Sequence, residues 1–468
     1  MTSESPMLLM YDGLFWLSPS GVVPQLVTNY SQNGNAWIFH LRQGVSFSDG
    51  TPFNSSAVVA SLNRQNVPVD PVTNKSSVRY SLYSVFTGIK AIDTYTFEID
   101  TASPNPTVPA LLANMGGAID SPSAVAKYGA NYGTQASMEA GTGPYMAQSF
   151  TPGVSLTLVR NPHYWGTPGY WSTITFKQLP DDSQRLQALQ AGTIDVAIAI
   201  APSVAISATN SSTLQLLASP TIRPCFYSMN LNNASSNPLH DPRVRLALNL
   251  AINRTAIVDD LLHGYAGLSY QMFAPGQVGY PNVNYTIPYD PAQAKNLLAQ
   301  AGYPNGFSTK ILISSWVPSA TDVATAVQGY LSAIGVKAAI DNVPPGTYFS
   351  EVTSKSIMSN YSLRSDCWGP LTGLSSEALS GELSNNSFYI NASNIAMPAV
   401  QGAIDAVVNA PTYPAYISSM QQAATLINNQ SLVMPLFVQK VVTGTNPTVV
   451  KGIVINPQGV LYFYYGHG

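Results

Sequence analysis

Helices with sharply marked ends alternate along this chain with short stretches of β-branched and aromatic residues. The clearest helix is predicted over 241–263, where an N-cap Asp and a first-turn Pro open the pattern and Gly264 follows it. The same pattern predicts further helices over 290–301 and about 321–334. Strands are predicted over 36–41, 155–159, 173–177, 309–313 and 453–456. The alternation is typical of a mixed α/β protein, and 468 residues suffice for two or three domains.

Charged residues are scarce in this sequence. Asp, Glu, Lys and Arg make up 9% of the chain, against about 25% in an average soluble protein. The net charge of −3 offers no electrostatic attraction to nucleic acid or to an anionic membrane, so we expect neither as a partner. Because acid unfolding mainly protonates carboxylates that were paired in the folded state, we expect tolerance of acidic surroundings. A polar-surface bias of the host is the alternative explanation.

Catalytic and metal-binding motifs do not stand out in this sequence. It contains no Gly-x-Ser-x-Gly elbow, no His-Glu-x-x-His zinc motif and no phosphate-binding glycine loop. The five histidines, at 40, 163, 240, 263 and 467, lack the spacing of metal ligands. We therefore predict no catalytic residue, no metal site and no cofactor. A pair of carboxylates suited to glycoside hydrolysis stays open, with Asp49, Asp366 and Glu382 as candidates, because such pairs are defined by distances in space.

A series of short motifs follows one order along most of the chain. They are YDGL at 11–14, PQLV at 24–27, WIFHLRQGV at 37–45, FSDGTP at 47–52, GTGPY at 141–145, RNPHYW at 160–165, ALQAGTID at 188–195, DPRVR at 241–245, AINR at 251–254, YDP at 289–291, AGY at 301–303, IGV at 334–336 and MPL at 434–436. Together they resemble the extracellular solute-binding proteins of family 5, the peptide-, oligosaccharide- and nickel-type binding proteins of ABC importers. Most of these motifs are scaffold, since Asp-Gly and Gly-x-Gly sequences serve turns.

The resemblance implies an α/β, two-lobed periplasmic-binding-protein-like fold (type II, cluster C) with an extra inserted domain. In such a fold two hinge strands join the lobes, and a ligand held between them favours the closed state. We expect hinge strands through 225–232 and about 451–458. The expected domains are lobe one over 1–20, 140–228 and 455–468, the inserted domain over 21–139, and lobe two over 229–454.

Two segments are expected to face the cleft between the lobes, one over 225–230 and one over 364–369. The resemblance implies a disulfide between Cys225 and Cys367, with two buried free thiols as the alternative. The residues that we predict to contact the ligand are Ser228, Asn230, Trp316, Tyr348, Asp366, Trp368 and Gly369. Among them, Trp368, Trp316 and Tyr348 are candidate aromatic platforms, although an aromatic residue in such a protein more often belongs to the core.

The ligand class stays open between a peptide and an oligosaccharide. Peptide-binding members carry an Asp two residues after the second Cys, where it meets the α-amino group of the peptide, and this chain has Gly369 there. The Trp-Gly pair at 368–369 is similar to the oligosaccharide-type members, in which aromatic faces stack on sugar rings. We therefore favour an oligosaccharide or another neutral ligand. The competing functions are a ligand-sensing surface receptor and, behind it, a glycoside hydrolase.

Location and partners follow from the same resemblance. It implies an extracytoplasmic protein, periplasmic or on the cell surface, held to the membrane by a segment not present in this chain, and permease subunits as partners. We expect a monomer. The sequence has no run of 18 apolar residues that could span a membrane. Because the chain starts close to the YDGL motif, we expect the family's leader and first strand to be missing.

Overall fold

The computed structural model describes residues 4–18, 21–77, 79–134, 140–231, 237–317, 319–354, 360–385, 387, 397–459 and 461–462. The strands are β1 (Phe15–Ser18), β2 (Gly21–Pro24), β3 (Val27–Asn33), β4 (Ala36–Leu41), β5 (Phe86–Asp93), β6 (Thr96–Thr101), β7 (Tyr145–Thr151), β8 (Ser155–Arg160), β9 (Thr173–Lys177), β10 (Val196–Ala197), β11 (Gln215–Met229), β12 (Ala266–Leu268), β13 (Ser308–Ser314), β14 (Lys337–Val343), β15 (Leu363–Cys367), β16 (Val433–Thr445), β17 (Val454–Ile455) and β18 (Leu461–Tyr462).

The helices are distributed between these strands, as the alternation in the sequence predicts. They are α1 (Glu4–Met10), α2 (Ser55–Gln65), α3 (Tyr80–Tyr83), α4 (Val108–Leu111), α5 (Pro122–Tyr128), α6 (Asp182–Gln190), α7 (Pro202–Ala205), α8 (Pro242–Leu250), α9 (Arg254–Ala256), α10 (Pro291–Gln300), α11 (Ala320–Ala333), α12 (Pro345–Val352), α13 (Ser375–Leu383), α14 (Pro398–Val408) and α15 (Tyr413–Asn429).

The largest sheet runs in the order β10-β16-β11-β15-β13-β14, with β12 also paired to β16. Strand β13 pairs in parallel with β14 and β15, whereas β11 pairs antiparallel with β15 and β16. The helix α11 connects β13 to β14 and buries Val323, Val327 and Leu331. Mixed sheets of this kind, covered by helices, belong to the α/β class. The predicted fold class is confirmed.

Strands β11 and β16 are long enough to run through both halves of this sheet, the half that contains β10 and the half that contains β15. The first part of β11 pairs with the last part of β16, from Gln215 opposite Thr445 to Pro220 opposite Lys440. The pairing shifts register and resumes with Pro224 opposite Val438. Beyond this break β11 also pairs with β15, while β10 joins β16 on the other side of the break. The break in the ladder therefore lies where one half of the sheet gives way to the other.

Four smaller sheets lie outside this one in the described part of the chain, and two of them, β1-β2 and β17-β18, have two strands each. A four-stranded antiparallel sheet, in the order β3-β4-β6-β5, lies within 21–139, the range predicted for the inserted domain. Its core includes Phe39 and Phe97, whose ring centroids are 4.9 Å apart, and buried side chains from α2. A three-stranded sheet in the order β7-β8-β9 places β9 at one edge. Apolar side chains from β9 face inward towards those around β10, and the two strands border a common space.

The helix predicted over 241–263 is wrong in its length. Helix α8 begins as expected, since the Asp241 side chain accepts a hydrogen bond from the backbone N–H of Arg243, but it ends at Leu250. Asn253 then caps α9 by accepting from the N–H of Ala256, and a π-helical turn follows over Ile257–Leu261. An Asn side chain that bonds to the backbone competes with a continuous helix. Helix α10, by contrast, has the expected Asp290 cap and spans Pro291–Gln300.

Candidate functional site

The two segments that the sequence assigned to the cleft lie side by side in the sheet. The end of β11 pairs antiparallel with β15, with Cys225 opposite Cys367 and Ser228 opposite Arg364. The structure contains the expected disulfide between the two cysteines, whose Cα atoms are 4.0 Å apart. The disulfide joins β11 to β15, and it lies next to the break in the pairing of β11 with β16.

A fully buried ionic cluster lies behind these strands. Arg364 Nη1 donates to Asp366 Oδ2 over 2.5 Å, and Arg364 Nη2 donates to Glu382 Oε2 over 2.6 Å. The Ser228 hydroxyl donates to Glu382 Oε2 over 2.6 Å, and the Tyr348 hydroxyl donates to the carbonyl of Ser365 over 2.5 Å. The cluster therefore ties β11 and β15 to helices α12 and α13 inside lobe two.

Burial sets the protonation of this cluster. Desolvation raises the pKa of Asp366 from 3.8 to about 7, against the opposing effect of the Arg364 charge, while the Glu382 charge raises it further. Two carboxylates share one guanidinium here, so a proton on Asp366 removes the excess negative charge. Desolvation also raises the pKa of the Tyr348 hydroxyl far above its usual value, which keeps that group a neutral donor.

The predicted ligand contacts fall into separate places. The side chains of Ser228, Tyr348 and Asp366 are at most 3% exposed and make their hydrogen bonds inside lobe two. Asn230 is also buried, and its Nδ2 donates to the carbonyl of Tyr361 over 2.9 Å. The described hydrogen bonds of these four residues are therefore made within the protein, and their contact with a ligand stays a prediction.

The remaining candidates lie at the end of β15 and beside α12. Trp368 and Gly369 are half-buried, and the Trp368 ring lies so close to Gly381 that a side chain there would displace it. Trp316 is half-buried with its ring centroid 5.7 Å from that of Tyr348 and 5.5 Å from that of Phe349. Sequence patterns alone could not show that the rings of Trp316 and Trp368 are half-buried whereas the ring of Tyr348 is buried.

A cavity of about 780 Å³ opens at the break between the two halves of the large sheet. Strand β9 and residues 193–196 around β10 form one wall, and Trp171 contributes an aromatic ring. Strands β11 and β16, which run through the break, contribute Arg223 and Gln439, and Gln458 lies beside them. We take this cavity as the candidate binding site because it lies at the break in the large sheet and because Arg223, which lines it, lies against Gly369 just after β15.

A second cavity, of about 990 Å³, lies beside the parallel strands of the large sheet. It is lined by Asn230 together with residues at the starts of β13 and β14, including Lys310 and Lys337. The structure therefore separates Asn230 from Trp368 and Gly369, although the sequence placed all three in one cleft. Arg223, which lies two positions before Cys225 on β11, lines the 780 Å³ cavity and was not among the residues predicted from the sequence.

Neither a metal centre nor a membrane span appears in the part of the chain that the structure describes. In that part, no group of three or more His, Cys, Asp or Glu side chains is arranged to hold a metal ion. Within the same described ranges, every helix is too short or too polar to cross a bilayer.

Comparison with known families and curated proteins gives consistent matches. A family model described as bacterial extracellular solute-binding proteins, family 5, matches residues 21–379. The chain is 31% identical over 442 residues to the glutathione-binding protein GsiB of Shigella dysenteriae, in an alignment that covers 92% of this chain and 84% of that protein. It is 34% identical over 350 residues to the protein of the same name from Salmonella typhimurium, covering 74% of this chain and 66% of the relative.

Solved structures share the fold over almost the whole chain. The periplasmic binding protein DppA from Helicobacter pylori, in complex with the peptide STSA, superposes with a TM-score of 0.76 at 23% identity, covering 98% of this chain and 92% of the other. NikA from Brucella suis, in complex with Fe(III)-EDTA, gives a TM-score of 0.85 at 18% identity, covering 99% and 95%. At these identities the superpositions establish the two-lobed fold.

Proposed function

This chain belongs to family 5 of the bacterial extracellular solute-binding proteins, and on that premise we propose that its ligand is a short peptide. The family consists of binding components of ABC importers rather than enzymes, so the chain is an extracytoplasmic solute-binding protein with transporter subunits as partners. The proposal concerns the ligand, the residues that hold it and the way in which the lobes close on it.

The observation that carries the peptide proposal is the match to GsiB, which is named a glutathione-binding protein and aligns with 92% of this chain. Glutathione is a tripeptide, and DppA was solved with a bound peptide. The sequence favoured an oligosaccharide because Gly369 replaces the acid of the peptide-binding members and the Trp-Gly pair at 368–369 is similar to the oligosaccharide type, with Trp368, Trp316 and Tyr348 as candidate platforms. Tyr348 is completely buried, so it offers no face to a sugar ring, and this weakens the argument for a sugar platform.

We also propose where the lobes hinge. The bend lies at the break in the β11–β16 ladder, around 220–224 and 438–440, because a stretch without regular pairing absorbs changes in backbone angle most easily. The first of these positions lies close to the predicted hinge at 225–232. The second differs from the predicted 451–458, a segment that instead lies alongside the crossing, with the carbonyl of Pro457 accepting from the N–H of Ile222. Lobe two then ends near Val438 rather than at 454.

The residues at the site take two kinds of role in this proposal. Trp368 and Gly369, which follow β15 and adjoin the cavity through Arg223, contact the ligand together with Trp171 and the side chains that line the 780 Å³ cavity. Ser228, Asp366 and Tyr348 hold β15 in place from behind, through the cluster around Arg364. A rigid frame behind the contact surface limits the entropy lost on binding.

Isothermal titration calorimetry of the purified protein tests the ligand class. Glutathione, an alanyl dipeptide, maltotriose and NiCl₂ are titrated separately, and we expect heat of binding from glutathione or the dipeptide. Mass spectrometry of the recovered ligand should show it unchanged. Binding of maltotriose alone, binding of none of the peptides, or cleavage of the ligand would overturn the proposal.

A pair of matched substitutions locates the binding site. Gly369→Trp fills the end of β15, where an added side chain meets Arg223, and should abolish peptide binding. Gly329→Trp adds the same bulk on the exposed side of α11, where an added Cβ meets nothing within 4 Å, and should bind as the wild type does. Equal binding by both variants would place the ligand elsewhere.

The rival function, a surface receptor that signals instead of feeding an importer, is tested by uptake. Deletion of the gene should abolish accumulation of the radiolabelled peptide that binds in the calorimeter. Unchanged accumulation would favour the receptor.

A further inference from the structure

Arg223 lies on strand β11, at the break in the large sheet. It lies in the stretch of β11 between Pro220 and Pro224, where the ladder to β16 is broken. Its backbone N–H donates to Thr221 Oγ1 over 3.2 Å, and its Nε donates to the carbonyl of Gln458 over 3.2 Å. The side chain is half-buried and lines the 780 Å³ cavity. A cation is therefore held at the junction of the lobes by one strand and one loop.

The guanidinium of Arg223 lies directly against Gly369. A Cβ added at Gly369 would lie 2.8 Å from Arg223 Cζ and 2.9 Å from its Nε, closer than carbon atoms in contact approach. The backbone of Gly369 is not in the left-handed region, so its conformation does not require glycine. Glycine stands here because of the space beside it, since a larger residue would push the guanidinium of Arg223 away. The position at which the resemblance would place an acidic side chain is thus occupied by a positive charge.

The surroundings of Arg223 favour a negatively charged group. Among the described residues that line the cavity, the cations are Lys177, Arg185 and Arg223, and the acid is Asp195. Arg185 is paired with Asp182, Lys177 Nζ donates to the carbonyl of Thr193 over 3.2 Å, and Arg223 Nε donates to that of Gln458. The planar guanidinium group presents its N–H donors in a fork that matches the two oxygens of a carboxylate.

We propose that Arg223 anchors a carboxylate of the bound peptide at the junction of the lobes, and that Gly369 is required because it leaves room for the guanidinium. This inference rests on the proposed peptide function. It reverses the polarity of the recognition expected at this position, from an acid that holds an ammonium group to a cation that holds a carboxylate. The competing explanation is a structural one, in which Arg223 only ties β11 to the loop at Gln458.

A binding cycle with glutathione analogues separates the two explanations. Wild type and Arg223→Gln are titrated with glutathione, with its glycine amide, and with the analogue in which 4-aminobutyrate replaces the γ-glutamyl residue, which lacks the α-carboxylate and keeps the amino group. We expect one of the two analogues to bind the wild type about 10- to 100-fold more weakly than glutathione. Arg223→Gln should weaken binding of glutathione by a similar factor and should bind that analogue and glutathione about equally.

Further variants control for charge and for folding. Lys295→Gln removes one exposed positive charge from α10 and should bind glutathione as the wild type does. Arg223→Lys, which keeps the charge without the fork, should retain part of the affinity. Gly369→Asp places a carboxylate against the guanidinium and should weaken glutathione more than Gly369→Asn, which has nearly the same size and no charge. Melting curves of each variant show whether the fold persists.

The outcomes separate the inference from the function on which it rests. If the wild type binds glutathione and both analogues within about threefold, or if the analogue penalty persists in Arg223→Gln, the carboxylate anchor is wrong while the peptide function stands. If the wild type binds no peptide at all, the proposed function is wrong and the anchor falls with it.

Discussion

Arg364 and Glu382 form an ion pair in the interior of lobe two, with Nη2 and Oε2 2.6 Å apart and side chains that are at most 1% exposed. Asp366, on the same strand as Arg364, completes the cluster from the other side of the guanidinium. A buried ion pair adds little net stability compared with apolar residues, but removing one partner leaves an uncompensated charge. The cluster is therefore a sensitive test of how lobe two is held together.

Replacing the central cation should strongly destabilise the protein. Arg364→Met leaves Asp366 and Glu382 buried without their counter-charge, and we expect a loss of about 3–5 kcal/mol in the free energy of unfolding. Urea unfolding followed by near-UV circular dichroism measures it. Arg243→Met is the control, because Arg243 pairs with Asp241 at the surface and should change the stability little. Similar losses of unfolding free energy in the two variants would show that burial of the cluster does not cause the destabilisation.

The raised pKa of Asp366 gives a defined dependence of stability on pH. Its pKa is about 7 in the folded protein and 3.8 when unperturbed, so between these values the folded state binds more protons than the unfolded state. Its contribution to stability is therefore complete below about pH 4 and is lost as the pH rises to about 7. Asp12, whose pKa burial also raises to about 7, acts in the same direction.

Asp366→Asn tests this prediction. The slope of the unfolding free energy against pH, between pH 4 and 7, should become less negative. The change corresponds to up to about one bound proton. Asp322→Asn, at an exposed position on α11, should leave the slope as it is in the wild type. An unchanged slope in Asp366→Asn would mean that Asp366 is ionised throughout this range.

The disulfide between Cys225 and Cys367 should contribute substantially to stability, because it closes a loop with a sequence separation of 142 residues. In the chain-entropy model, removing it from a loop of this length costs about 5 kcal/mol. Cys225→Ala combined with Cys367→Ala should lower the urea midpoint accordingly. Thiol titration of the denatured wild type should detect no thiol before reduction and two afterwards. Two thiols without reduction would contradict the bridge.

Ligand binding should change the fluorescence of Trp171, whose side chain lines the 780 Å³ cavity. A ligand that replaces water around this ring alters its emission, so titration with the peptide that binds in the calorimeter should shift the spectrum. Trp171→Phe should remove most of the shift and keep the affinity within about threefold. Trp16→Phe, on the hairpin strand β1, should preserve the shift. A full shift in Trp171→Phe would assign the signal to another tryptophan.

Local sequence chemistry predicted much of the secondary structure correctly. Asp241 and Asp290 cap α8 and α10 because an Asp side chain satisfies backbone N–H groups that the first helical turn leaves unpaired. Strands β4 and β9 have the predicted bounds, 36–41 and 173–177. These features depend on neighbours along the chain, so the sequence carries them. The length of the helix after Asp241 was wrong, since the cap at Asn253 interrupts it.

Tertiary packing decided which of the predicted site residues are buried. Ser228 and Asp366 lie on the strands that the resemblance indicated, but α13 brings Glu382 against Arg364 and buries both. The contact between Arg223 and Gly369 joins two strands that are distant in the sequence.

The sequence by itself determined the family, the α/β class and the two strands that carry the cysteines, because motifs, caps and strand patterns are written in consecutive residues. The tertiary structure decided the position of the break between β11 and β16, the burial of the ionic cluster and the neighbour of Gly369. These features arise from side chains on separate elements competing for the same space, and no local pattern records which of them occupies it.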